Sequence, residues 1–599
     1  MNQSLLVNLS ESALALLTDY RLLQRLPDKF NLERIVETHI SLVLIGEHAV
    51  LKLKKPVRLG FLDHSQLEAR WRSAQAEVIL NRRLAADIYL GLVALPNHSE
   101  SIIDISSLDA RLLEISSDFA TAEPLVVMKR LPEQRTLKEI IRRSIALLKH
   151  NPPCPNDKIF TADNELSASS EIIARLLGNF HFALINSNNR PIKVASTNPS
   201  ANHSADKIKN FAQLFRDNLK DIQQNNQLLA PEAQVLLPFI ATAAEKLLIS
   251  CLDTLITRSD QGFIVNGHGD LRCEHIFYIA SSALAIDCIE FDWDMRQVDV
   301  VNDICFLLMD IDFQCTEQGA PVVAKYLNDS FLKTYLECFS PSFRPILFPD
   351  DNRISALFKT YRALVRAKVD ILQAKAHAAN SEGQLEKAEQ HIFLAAHYLK
   401  LIPSTTIIAF SGLMGTGKST LAKRFARVFS APHLQTDALR LAQKDTPSLA
   451  AKSNWAQANY SEESRLKVYD QMFNEALSPL LCRQSIIFDA SFHRSSQRRR
   501  VDLLGEKTNT PTIKIHCLLE REETIRRLDE RSASGNSLSE GRAELLDLQA
   551  ADYEQLSDNE LQQYIVIDTG KTLEEQLAEI FMAIISQNAS QPVFSQSPP

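Results

Sequence analysis

Residues 407–420 read IIAFSGLMGTGKST, and this stretch decides the fold of the chain's last third. Ile407, Ile408, Ala409 and Phe410 form a short apolar run that predicts a buried parallel strand. Gly412-x-x-x-x-Gly417-Lys418-Ser419 follows, and then Thr420-Leu421-Ala422-Lys423, a good helix start. Strand, glycine loop and helix in that order are the context a phosphate-binding loop requires. Glycines let the backbone bend so that several N–H groups converge on one anion, and the helix N-terminus adds partial positive charge. The loop from Gly412 through Gly415, Thr416 and Gly417 is therefore expected to cradle a nucleotide's phosphates, with Thr420 at its end. Lys418 can reach the β- and γ-phosphates, and the Ser419 hydroxyl can bind Mg²⁺. A chance glycine-rich turn would not carry the lysine, the hydroxyl and both flanking elements together.

Downstream, strands and helices alternate. His433–Asp437 reads as a second strand ending at Asp437, with Arg440 a helical turn further on. Ser485–Asp489 reads as a third, placing Asp489 where a carboxylate would assist Mg²⁺. Arg494, Arg498, Arg499 and Arg500 open the next helix. Ile513–Leu519 predicts a fourth strand, followed by a helix with Arg526, Arg527 and Arg531. The polar segment 532–541 is expected to be a mobile lid, on which a planar guanidinium such as that of Arg531 would match phosphate oxygens. Tyr564–Ile567 reads as the last strand.

The whole chain has 599 residues, too many for one core, so several folding units are expected. A net charge of −8 argues against general nucleic-acid binding. Nine cysteines without a C-x-x-C pair fit a reducing compartment. The N-terminus has no basic leader before its apolar residues, and no apolar run approaches the ~20 residues that cross a bilayer, so a cytoplasmic, membrane-free protein is expected. Only 16 glycines are present, and they cluster twice: in the loop above, and at Gly262, Gly267 and Gly269. Two clusters predict two places where backbone bends tightly or approaches a ligand.

The first half reads in order as follows. Residues 1–30 look helical, and 37–57 alternate like two strands around Gly46-Glu47. The second strand puts Lys52 and Lys54 on one face. A helix over 65–85 carries Glu77, and strands are expected at 92–95, 102–105, 111–115 and 125–128. Residues 132–260 read as mainly helical, interrupted by polar, loop-like stretches at 150–170 and 186–206. His181 lies in an apolar helix, where a packing role is expected. Then His268-Gly269-Asp270 follows a strand at 263–265, and Asp287 ends another at 283–286. A loop aspartate that accepts a hydroxyl proton, with a strand-end aspartate to hold Mg²⁺ within twenty residues, is the minimum for phosphoryl transfer. Residues 314–400 read as helical, including the basic run 361–368, and a boundary is placed at Pro403-Ser404.

On HGDLRCEH, IDCIEFD and VDVVND, with weaker support from Lys52, Lys54 and Glu77, the first 400 residues resemble the aminoglycoside phosphotransferase-like kinase superfamily. That resemblance implies that Asp270 is the catalytic aspartate and Asp287 the metal ligand. It also implies that Lys54 or Lys52 pairs with the α/β-phosphates, that Glu77 orients that lysine, and that 127–130 with Met128 forms the adenine hinge. The metal-binding asparagine of the superfamily is here His275, a poorer Mg²⁺ ligand. Residues 404–585 resemble small P-loop kinases of the gluconate-kinase, polynucleotide-kinase and zeta-toxin type. The order of the two halves looks like bacterial proteins in which an aminoglycoside phosphotransferase is fused to an ATP-binding (AAA-type) protein.

The expected fold is multidomain α/β: a bilobal protein-kinase-like half, then a parallel P-loop sheet with a lid. The units are 1–130 (small lobe), 131–403 (helical large lobe), 404–585 (P-loop domain) and 586–599 (disordered tail). The expected activity is a bifunctional ATP- and Mg²⁺-dependent kinase acting on small-molecule hydroxyls. Asp270, Asp437, Lys418 and Arg531 are the catalytic candidates. Two rivals remain open from the residues: a first half that only senses nucleotide, for which His275 is the motive, and a second half that works as an ATPase switch.

Overall fold

Alternating apolar residues in Ser41–Gly46 and Ala49–Lys54 build the hairpin expected about Gly46-Glu47. The computed structural model describes residues 9–59, 62–96, 101–103, 122–150, 164–187, 204–349, 351–376, 381–442, 462–534 and 543–589. The hairpin sits in a five-stranded antiparallel sheet ordered Leu32–Glu37, Ser41–Gly46, Ala49–Lys54, Ala122–Lys129, Tyr89–Pro96. Leu32–Glu37 is a strand the residue pattern does not announce: it is an edge strand with Glu33, Arg34 and Glu37 in six residues, which blurs its period of two. In the 1–30 stretch expected to be helical, the described part holds the helix Glu11–Asp19 and two short 3₁₀ turns. Of the strand expected at 102–105, residues 102 and 103 have no regular structure and the rest lies outside the described residues. The strand expected at 111–115 lies outside them too.

Helix Leu67–Asn81 packs Trp71, Ala74 and Val78 against Tyr89, Leu92, Val126 and Met128 of the sheet. That packing carries Glu77 under the Lys52 strand. Beyond the sheet the first half is helical, around a core that includes Phe215, Leu236, Leu248, Ile304, Phe331, Leu357 and Phe393. Two small antiparallel pairs interrupt the helices: Ile264–Asn266 with Gln297–Asp299, and Ile276–Ile279 with Ser282–Ala285. They carry the glycine-flanked loop and the acidic segment. Of the two expected polar loops, 151–163 and 188–203 lie outside the described residues.

The last third is a five-stranded parallel sheet ordered His433–Gln435, Ile486–Asp489, Ile407–Ser411, Thr512–Leu518, Tyr564–Asp568. The central strand Ile407–Ser411 is buried throughout, as a strand covered on both faces must be. The molecule is thus multidomain α/β, with a kinase-like bilobal α+β half and a P-loop parallel sheet. Residues 535–542 of the expected lid, and 590–599 of the expected tail, lie outside the described residues.

Helix Pro231–Asp260 is long and apolar enough, by length and composition, to cross a membrane. In the fold, its Leu236, Leu237, Ile240, Ala244, Leu248 and Leu255 are buried in the core. At its start, Glu232 is fully buried and meets Arg424 (2.7 Å) and Arg427 (2.9 Å), both from the helix Lys418–Val428 that begins at the phosphate loop. Arg427 also pairs with Glu389.

Candidate functional sites

Five charged side chains meet in the first half. Lys52 Nζ lies 3.0 Å from Glu77 Oε1 and pairs with Asp287. Lys54 Nζ lies 2.7 Å from Glu77 Oε2 and pairs with Glu290. Glu77 bridges both lysines because they sit two residues apart on one strand face. The lysines are not equivalent: the Lys52 side chain is 15% exposed and Lys54 only 2%. Burial raises the Asp287 carboxyl pKa, but the Lys52 ammonium outweighs it and holds the group well below the usual carboxylate range. Asp287 adopts a left-handed backbone (φ +60°), uncommon for a residue with a side chain. Its N–H donates to the Tyr89 hydroxyl (3.3 Å), and the next N–H, of Cys288, donates to Asn81 Oδ1 (2.8 Å).

The His268-Gly269-Asp270 loop is gripped from beneath. Fully buried Asp303 accepts the N–H of His268 (2.7 Å) on one oxygen and that of Gly269 (2.9 Å) on the other. His181, also fully buried, lies between Asp303 (3.3 Å) and the Tyr335 hydroxyl (2.9 Å), so its packing role includes steadying this grip. Arg362, in the basic run, donates to the Gly269 carbonyl (3.1 Å). Three further bonds join this loop to the Asp287 segment: His268 Nε2 to the Ile286 carbonyl (3.0 Å), Ile286 N–H to the His275 carbonyl (3.0 Å) and Ile289 N–H to the His268 carbonyl (3.1 Å). Asp270 receives Arg272 Nε at 3.2 and 3.3 Å. Burial alone would raise its pKa; the Arg272 charge wins and lowers it. His275, expected as a metal ligand, has Nδ1 2.9 Å from the Asp270 carbonyl and Nε2 3.0 Å from Arg272 Nη2. The carboxylate of Asp287 is partly exposed, so it fits a cation's hard oxygen preference; the engaged ring of His275 does not. Met128, in the expected hinge, turns its side chain into the cluster with Trp71 and Tyr89.

In the P-loop half, Gly412, Gly415 and Gly417 have φ of +134°, +78° and +81°. A Cβ on Gly412 would stand 2.4 Å from the Cys517 carbonyl oxygen, so the loop needs glycine for space as well as conformation. Lys418 Nζ donates to the Leu413 carbonyl (2.6 Å), as does Thr416 Oγ1 (2.8 Å), folding the loop over itself. Burial lowers the Lys418 pKa. A cavity of about 280 Å³ is lined by Gly415, Gly417, Lys418, Ser419, Thr420, Asp437, Asp489 and Arg531, so these expected residues converge, while Gly412 and Thr416 do not line it. Ser419 and Asp489 offer a hydroxyl and a carboxylate on one cavity, a donor set that fits Mg²⁺. Among the described residues no group of three or more His, Cys, Asp and Glu side chains is placed to hold a metal, so such an ion would take its other ligands from phosphate and water.

Asp437 needs a correction. The strand stops at Gln435, and Asp437 belongs to the helix Thr436–Ala442, with Arg440 Nη1 2.8 Å from its carboxylate. Arg526 turns away from the cavity to Glu523 (2.6 Å) and Glu530, whereas Arg527 lines it. Arg494, Arg498 and Arg500 pair with Asp552, Glu560 and Asp470 and do not line it. Several cavity residues carried no sequence signal, among them Gln435, which donates to Ser419 Oγ (3.2 Å), and Gln549, which accepts the Met414 N–H (2.7 Å) from 135 residues away. Neither belongs to a recognisable pattern.

Residues 407–556 match a family model described as an AAA domain. An uncharacterized protein of Mycobacterium tuberculosis is 26% identical over 509 residues, covering 84% of this chain and 86% of that protein, so the likeness spans both halves. Among solved structures, a gluconokinase from Sinorhizobium meliloti 1021 is 15% identical, covers 31% of this chain and 95% of its own, and has a TM-score of 0.23. A glucosamine kinase is 13% identical, covers 61% of this chain and 77% of its own, and has a TM-score of 0.37. At those scores the assignment rests on the sheet orders, the loop geometry and the family match themselves. Together they describe a kinase-like protein of two parts, the second of them a P-loop domain.

Proposed function

We propose that the chain is a bifunctional ATP-dependent phosphotransferase with one nucleotide site in each half and small-molecule hydroxyls as acceptors. In the first half, Asp270 takes the acceptor's proton and Asp287 holds the cation. Lys52, oriented by Glu77, neutralises the α/β-phosphates, and the 127–130 segment receives the adenine. Lys54 and Glu290 support Glu77 from the buried side. In the second half, the loop from Gly412 to Thr420 cradles phosphate, and Lys418, with Arg531, meets the charge of the transferring group. Ser419 and Asp489 hold the cation, and Asp437 orients the acceptor hydroxyl. MgATP supplies the phosphoryl group and its charge neutralisation; the chain supplies positioning and fixed charge.

One observation carries this reading: the Lys52–Glu77–Asp287 linkage stands beside an Asp270 loop in the same chain as a complete Gly-Lys-Ser cradle. The test is a metabolite-pool screen with labelled ATP, comparing wild type, Asp270→Asn and Lys418→Ala. Each variant is expected to lose a different labelled product. If Asp270→Asn loses none, the first half is no phosphotransferase. If Lys418→Ala loses none, the second is not.

A further inference from the structure

In kinase-like catalytic loops, the side chain five residues after the proton-accepting aspartate is an asparagine whose oxygen binds a second Mg²⁺. Here that place belongs to His275, and the geometry settles what its ring can do. Nδ1 faces the Asp270 carbonyl at 2.9 Å and Asp270 Oδ2 at 3.5 Å; Nε2 faces Arg272 Nη2 at 3.0 Å. A carbonyl oxygen cannot donate and a guanidinium cannot accept. The hydrogen therefore sits on Nδ1, and the lone pair of Nε2 is taken by Arg272. No nitrogen of the ring is left for a metal.

Arg272 is itself held on three sides. Besides His275, its Nε lies 3.2 and 3.3 Å from the Asp270 carboxylate oxygens, and its Nη1 pairs with Glu274. Its side chain is 16% exposed, so one edge still reaches solvent. Seating a metal on His275 would mean expelling this guanidinium from His275, Asp270 and Glu274. A positive charge already occupies the neighbourhood that a second cation would neutralise. Asp287 differs: its side chain is 37% exposed, and its partner is the ammonium of Lys52.

We propose that the first half takes a single divalent cation, on Asp287, and that the guanidinium of Arg272, docked on His275, stands as a fixed charge in place of the second. This rests on reading the first half as a phosphotransferase. The test counts Mn²⁺ bound to the full chain by electron paramagnetic resonance, with a non-hydrolysable ATP analogue at saturation. A Lys418→Ala, Ser419→Ala background removes the other half's ion, and a fluorescent nucleotide reports binding separately. One Mn²⁺ per chain is expected in that background, rising to two when Arg272→Ala and His275→Asn are added. Arg272→Lys alone, which keeps the charge, is expected to stay at one and preserves the comparison if the double change unfolds the loop. Two ions in the background, two with Arg272→Lys, or an unchanged single ion in a folded Arg272→Ala, His275→Asn chain each overturn the proposal. No ion while nucleotide still binds also overturns it. No nucleotide binding at all overturns the phosphotransferase reading beneath it.

Discussion

Lys52 and Lys54 share a strand face and a carboxylate, yet they answer to different physics. Lys52 reaches the partly open Asp287; Lys54 is sealed between Glu77 and Glu290. Lys52→Met is expected to cut the first half's turnover by roughly 10²-fold or more with little change in the denaturation midpoint, since the lost charge acts mainly on bound phosphate. Lys54→Met is expected to destabilise the fold by about 3–5 kcal/mol, because it leaves the buried carboxylate of Glu290 without a partner and Glu77 with Lys52 alone. Kinetics and urea unfolding on both variants separate these outcomes. Equal effects on both measures would remove the distinction drawn between them.

At the scale of the loop, three glycines make a graded series. A Cβ on Gly267 would stand 2.4 Å from Asp303 Oδ2 and 2.6 Å from Val298 Cγ2. Gly267→Ala is therefore expected to push the Asp270 loop off its anchor and abolish the first half's activity while the second half still binds nucleotide. Gly412→Ala, with its clash on the Cys517 carbonyl, is expected to do the reverse. Gly262 has φ +80° with open space where its Cβ would be, so Gly262→Ala should cost roughly 1–2 kcal/mol of backbone strain and leave both activities unchanged. Nucleotide titration of each half in the three variants checks the series.

Over the whole molecule, charge and burial tie the parts together. Glu232 meets Arg424 and Arg427 across the junction, on the same helix that starts at Lys418. Glu232→Ala should weaken that junction by about 1–3 kcal/mol, since both arginines lose their shared partner but stay partly exposed and Arg427 keeps Glu389. Calorimetry should then show the two halves melting at more widely separated temperatures; an unchanged trace would count against the junction's role. Stability should also depend on pH in a defined window. Burial pushes His64, His268, His397, His493 and His516 down to about 4. An unfolded histidine, near 6.5, takes its proton first, so stability falls as pH drops from about 6.5 to about 4, by up to about 1.4 kcal/mol per pH unit for each. Melting temperatures measured from pH 8 to 4 should be flat above pH 7 and drop steeply below 6.5.

The loop's backbone shape was legible because it is contiguous: Gly412 to Ser419 encode a local conformation, and a local conformation is set by neighbouring residue types. The sheet and helix alternation after it was legible for the same reason, through hydrophobic period. Asp270 and Asp287 were visible as loop and strand-end carboxylates. What the sequence by itself determined is therefore the fold class of each half and the two short glycine-bearing loops on which the proposed sites are built. Only the tertiary structure decided which lysine pairs with Asp287, that Asp303 and His181 hold the Asp270 loop, that Asp437 belongs to a helix, and that Arg272 occupies His275. Each of those depends on an ion pair, hydrogen bond or strand end set by packing between segments far apart or by the competition among close neighbours, and distances of a few ångströms are not written in residue spacing.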